Sequence, residues 1–120
     1  GVAEGVATAL SVQKVVGIPC AAAMNCGNLL EGSQTLLKKF PRARFHFFAD
    51  NDKPGEGKTM GVGEIEARKA LEKIPGVDNR GAVFLPEFTK DDRAAYYRMT
   101  GQTKKAPSDF NDLYLVRGLL

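Results

Sequence analysis

The sequence predicts an α/β fold, a four-stranded parallel sheet with helices on both faces. Three observations carry that prediction. Short apolar runs bounded by Gly, Pro or Asn alternate with longer stretches whose apolar residues recur at helical spacing. The clearest run, "ARFHFFAD" from Ala43 to Asp50, is aromatic and continuous, as a strand covered on both faces is. Strand then helix, repeated along the chain, gives parallel strands joined by helical crossovers.

Gly1 to Ala3 forms a short apolar first strand, followed by a helix from about Gly5 to Val16. "GIPCAAAMN" predicts a buried strand near Ile18 to Ala23, bounded by Gly17 and Asn25. In "NLLEGSQTLLKKF", Leu29, Leu30, Leu36, Leu37 and Phe40 share one helical face, and Pro41 ends the helix. "ARFHFFAD" is the third strand. "MGVGEIEARKALEKI" places Ile65, Ala67, Ala70, Leu71 and Ile74 at helical spacing, stopped by Pro75-Gly76. "GAVFLP" is the fourth strand. Ser108 is the expected N-cap of a last helix carrying Phe110, Leu113, Tyr114 and Val116. Residues 99–107, "MTGQTKKAP", are the expected flexible loop.

At 120 residues the chain is one domain, and its 43% apolar and 26% charged residues are ordinary for a globular one. No apolar run reaches the roughly 20 residues of a membrane span, so no membrane partner is expected. Cys20, Cys26 and the single His46 cannot supply a usual four-ligand zinc site. Reduced, buried thiols in a cytoplasmic protein are the expectation. A net charge of +3 is compatible with a polyanionic partner without demanding one. A buried parallel strand runs about five residues, and only Gly1 to Ala3 precede Glu4. Residues 1–120 are therefore expected to be a single domain excised from a longer protein, its first strand truncated.

The stretch "FFADNDKPGEGKT" (Phe47 to Thr59) offers two chemistries. Its second half resembles the end of a phosphate-binding P-loop. That motif requires a glycine five residues before Gly57, and Asp52 stands there. A carboxylate in a phosphate nest repels its ligand, which argues against the P-loop. "GVGEIE" lacks the third glycine of a dinucleotide fingerprint and does not directly follow a strand.

The acidic half stands. Asp50 and Asp52 leave the C-terminal end of a central strand, where open α/β sheets bind ligands. Two residues apart in an extended segment, their side chains face one point. Oxygen-only ligands suit Mg²⁺ or Mn²⁺; the competing reading is that both aspartates only form the turn "DNDKPG". Glu4 decides between them. It too follows an apolar strand and precedes a helix, and in a sheet of order 2-1-3-4 the first and third strands are neighbours. Glu4, Asp50 and Asp52 are then expected to converge on one cleft.

"EGVATAL", "FFADNDKPG" with Gly55 three residues beyond Asp52, and "SDFNDLY" near the end together resemble the Toprim domain of phage- and plasmid-encoded (mobile-element) DNA primases. The resemblance covers essentially the whole chain. The E-G and D-x-D-x-x-G motifs are common to Toprim domains of bacterial primases, topoisomerases and some nucleases, whereas "SDFNDLY" points to the mobile-element primases. The resemblance implies a Toprim-type, Rossmann-like α/β fold. It also implies Glu4, Asp50 and Asp52 as catalytic and metal-binding residues with Mg²⁺ or Mn²⁺ as cofactor. The activity implied is nucleotidyl transfer making RNA primers on single-stranded DNA during plasmid or phage replication. Partners would be the template, nucleoside triphosphates and the other domains of a primase/helicase chain. The sequence lacks a zinc-binding domain, helicase motifs and an amino-terminal subdomain, so the isolated domain is expected to be inactive.

Glu4 is a general base or a further metal ligand. Asp109 and Asp112 are a second acidic corner of the metal site or charges placed at a helix N-terminus. Lys53, Lys58, Lys104 and Lys105 are candidate phosphate or nucleic-acid contacts. Like Lys38, Lys39, Arg42 and Arg44, they also read as a solvated face. Tyr96 and Tyr97 stack on bases or pack on a helix, and His46 reads as core. Two rival functions are a Mg²⁺-dependent Toprim nuclease and a non-catalytic DNA-binding or docking module of a replication protein.

Overall fold

The computed structural model of the chain describes residues 1–76 and 81–120. Four parallel strands, β1 (Val2–Ala3), β2 (Ala21–Ala22), β3 (Phe45–Phe48) and β4 (Gly81–Phe84), lie in the order β2-β1-β3-β4. That is the 2-1-3-4 order the sequence predicts. Val2 and Ala3 stand in register with Ala21 and Ala22 on one side and with Phe47 and Phe48 on the other.

Successive strand residues point to opposite faces, and the core divides accordingly. Val2, Phe45, Phe47 and Ala49 pack with Leu29 of α2 (Leu29–Lys39) and with Ala67 and Ala70 of α3 (Val62–Glu72). Ala3 and Phe48 pack on the other face, with Ala9 and Val12 of α1 (Val6–Val16) and with Phe110, Leu113 and Tyr114 of the last helix. Phe47 is fully buried at the centre of the first cluster. Truncating such a side chain to alanine costs about 3–5 kcal/mol.

The helix ends follow local chemistry. Gly17 closes α1 in a left-handed conformation, φ 78°, with its N–H bonded to Gln13 O. The Asn25 side chain accepts from Asn28 N at 3.0 Å, opening the 3₁₀ turn Cys26–Asn28 that leads into α2.

Three expectations need correction. The second strand is paired only at Ala21–Ala22 rather than over Ile18 to Ala23. Pro19 has no N–H to carry the ladder back toward Ile18; single bonds from Gly1 N to Pro19 O, 2.7 Å, and from Ala23 N to Ala3 O, 2.8 Å, flank the paired residues. A fifth helix among the described residues, α4 (Lys90–Thr100), to which the sequence reading gave no bounds, takes in Met99 and Thr100 of the expected loop; Gly101 to Ala106 are exposed. Its Thr89–Asp92 capping box supplies the start, and the Asp92–Arg117 ion pair at 2.8 Å ties it to the end of α5 (Phe110–Val116). Third, α5 is N-capped by Asp109, not Ser108: the Asp109 carboxylate accepts from Asp112 N at 2.8 Å. No helix among the described residues is long and apolar enough to cross a membrane.

Candidate metal centre

Glu4 and Asp50 leave neighbouring parallel strands at the same end of the sheet. Ala3 is level with Phe48, so Glu4 emerges one residue later beside Ala49, and Asp50 follows. One carboxylate oxygen from each of Glu4, Asp50 and Asp52 lies within 4.8 Å of the others. The convergence expected from the motif spacing is present.

Three carboxylates this close repel one another. Burial, reinforced by Glu4, Asp109 and Asp52, pushes the Asp50 carboxyl up to about 7. Glu4 is raised by burial and by the Asp52 charge, against the hydrogen bonds it shares with the Asp50 side chain and the Cys26 backbone. Asp50 Oδ1 is buried with no hydrogen-bond partner. A buried carboxylate oxygen without a donor is unfavourable, and a divalent cation satisfies it while cancelling the repulsion. The donor set is all oxygen, which fits Mg²⁺ or Mn²⁺.

The second acidic pair is used differently. Asp109 stands close enough to raise Glu4 and Asp50, and burial raises its own carboxyl, yet one of its oxygens caps α5. Asp112 accepts from Ser108 N at 3.1 Å and lies outside the converged trio. Lys53 and Lys58 sit in the exposed loop that follows Asp52, and Lys104 and Lys105 in the exposed segment before α5. Lys105 is near enough to Asp109 to favour its charged form. Tyr96 is buried in α4, with Tyr97 against its edge at 5.9 Å. His46 is half-buried on β3, edge-on to Phe84 at 5.5 Å. Cys20 and Cys26 are partly buried free thiols.

The supporting residues escaped the sequence reading. Asn51, between the two aspartates, donates its backbone N–H to Ser108 O at 2.7 Å and its side-chain amide to Pro86 O at 2.9 Å. Gly61 and Gly63, rejected as a nucleotide fingerprint, press the start of α3 onto the same loop. A Cβ on Gly61 would lie 2.5 Å from Asp52 O, and one on Gly63 3.1 Å from Asp50 O. The G-x-G before a helix was the available signal for a close backbone approach.

A family model of the Toprim domain matches residues 1–119. The chain belongs to the Toprim domain family. Curated proteins and solved structures give no match. Toprim domains occur in primases, topoisomerases and nucleases and bind a divalent metal. The four-stranded parallel sheet and the acidic trio at its C-terminal edge agree with that membership.

Proposed function

We propose that this Toprim domain is the catalytic domain of a phage- or plasmid-type DNA primase, joining nucleotides into an RNA primer on single-stranded DNA. The observation that carries the reading is the convergence of Glu4, Asp50 and Asp52 within 4.8 Å around a buried, unpartnered Asp50 oxygen. What favours a primase over other Toprim enzymes is the resemblance of "SDFNDLY", residues 108–114, to the mobile-element primases.

Asp50 and Asp52, with Glu4, would hold Mg²⁺ or Mn²⁺, whose charge offsets that of the triphosphate and activates the attacking 3′-hydroxyl. Glu4 either joins the aspartates as a ligand or takes the proton of that hydroxyl. Lys53 and Lys58, and Lys104 and Lys105, are the residues assigned to phosphates of the substrate or template. Other domains of a primase/helicase chain complete the enzyme.

In the natural protein that carries this domain, Asp50→Ala is expected to lower primer synthesis by about a hundredfold or more, several kcal/mol of barrier. DNA binding, measured separately, stays largely intact. Lys58→Ala is much milder. A protein that primes normally with Asp50→Ala and fails with Lys58→Ala overturns the assignment. Metal-dependent DNA degradation without primer synthesis from nucleoside triphosphates points to the nuclease instead.

A further inference from the structure

Converged carboxylates splay apart unless the chain restrains them, and the sheet stops restraining this chain one residue too early. The Ala49 N–H bond to Phe84 O, at 3.0 Å, is where pairing with β4 ends. Beyond it, the segment bearing Asp50 and Asp52 is held by Asn51. The two bonds of Asn51 run to carbonyls beside fixed points: Pro86 is fully buried, and Ser108 follows the buried Pro107. The loop also rests on Gly61 and Gly63 at the start of α3. Asn51 thus spans from the aspartates to both the exit of β4 and the entry of α5, the helix capped by Asp109.

We propose that Asn51 is a positioning residue that keeps Asp50 and Asp52 aimed at one point, and so sets the site's preference for a small octahedral cation over a larger one. This rests on the metal-binding reading of the acidic trio. The side-chain amide is suited to the task because it donates to Pro86 O without adding charge. An aspartate there would set a further carboxylate against a carbonyl. Mg²⁺ requires near-ideal octahedral geometry at about 2.0–2.1 Å, whereas Ca²⁺ tolerates irregular ligand sets at about 2.3–2.6 Å. Loosening the two aspartates should therefore penalise Mg²⁺ more than Ca²⁺.

Calorimetric titration of the domain with Mg²⁺, Mn²⁺ and Ca²⁺ tests this, beside the metal-free melting temperature of each variant. Asn51→Ala is expected to weaken Mg²⁺ binding roughly tenfold or more, in the range seen for outer-shell partners of metal ligands. Ca²⁺ binding weakens less, so the Mg²⁺-to-Ca²⁺ ratio falls while the protein stays folded. Asn51→Leu, similar in shape and without the donor, repeats the measurement if the alanine variant does not fold. Wild-type Mg²⁺ affinity in the variant, or an equal loss for both cations, overturns the positioning role alone. A wild-type protein that binds neither Mg²⁺ nor Mn²⁺, or whose binding survives Asp50→Asn with Asp52→Asn, overturns the metal reading beneath it.

Discussion

Asp50 and Asp92 are the same side chain held in opposite ways. Asp50 leaves a strand into an extended loop, where Glu4, Asp52 and Asp109 surround it and one of its oxygens has no donor. Asp92 sits in the first turn of α4. Its carboxylate accepts from Thr89 N at 2.9 Å and from the Arg117 guanidinium at 2.8 Å, and that guanidinium with the Thr89 amide holds it well below the usual carboxylate range. A backbone amide and a cationic side chain make Asp92 a structural clasp. A carboxylate ringed by carboxylates is instead stabilised by an external cation. Asp109 lies between these cases, capping α5 with one oxygen while its charge acts on the trio. Residue type alone does not separate a ligand from a cap; the backbone around it does.

The sharpest way to break this contrast is to neutralise each residue in turn. Asp50→Asn is expected to weaken Mn²⁺ binding by about a hundredfold or more, beyond the roughly 10–100-fold that an outer-shell partner costs. Asp92→Asn should leave that affinity unchanged and lower the melting temperature. Titration of both variants checks this, and comparable Mn²⁺ losses in the two would erase the distinction.

A smaller effect is expected from the glycine floor under the site. Gly61→Ala forces its Cβ onto the Asp52 carbonyl, an overpacking that costs about 1–3 kcal/mol. Gly32→Ala, inside α2 with open space around its Cβ, should stabilise by about 0.5–1 kcal/mol. Denaturant unfolding measures both, and a neutral Gly61→Ala would mean that α3 does not fix the loop.

An effect near the lower end of that range is expected on pH dependence. In the metal-free protein the Asp50 carboxyl is raised in the fold, from an ordinary 3.8 to about 7. Between these values the folded state binds more protons than the unfolded one, so stability falls as pH rises through that window. Discounted for partial exposure, the loss is on the order of 1 kcal/mol. Asp92 behaves oppositely: its contribution is present above 3.8 and is lost as pH falls below it. Melting curves from pH 3 to 8 should therefore lose their fall toward neutral pH in Asp50→Asn and part of their acid-side fall in Asp92→Asn. An unchanged profile in Asp50→Asn would show that the trio carries no strain.

Much of this was readable in the sequence, for identifiable reasons. "ARFHFFAD" is so continuously apolar that its place at the sheet centre, and the exit of Asp50 and Asp52 from it, follow from pattern alone. Glu4 became legible once β1 and β3 were expected to be neighbours. The bounds of helix α4 were missed because "KDDRAAYYRMT" has no broad apolar face, although Thr89 and Asp92 have the spacing of a capping box. Ser108 and Asp109 are both good caps, and only the bond from Asp112 N distinguishes them. The work of Asn51 was not legible, because its partners, Pro86 and Ser108, are brought up by the fold; Gly61 and Gly63 signalled a close backbone approach without showing that the aspartate backbone makes it.

The contact between Gly61 and the Asp52 carbonyl also makes residues 53–60 an excursion that leaves and returns to one place. Every residue of that excursion is exposed. With both ends pinned, lengthening it costs little, about 0.6 kcal/mol for each doubling of a flexible loop, and need not disturb the carboxylates beneath. The domain thus has a natural graft point beside its acidic trio, where a different sequence could be carried while Glu4, Asp50 and Asp52 stay in place.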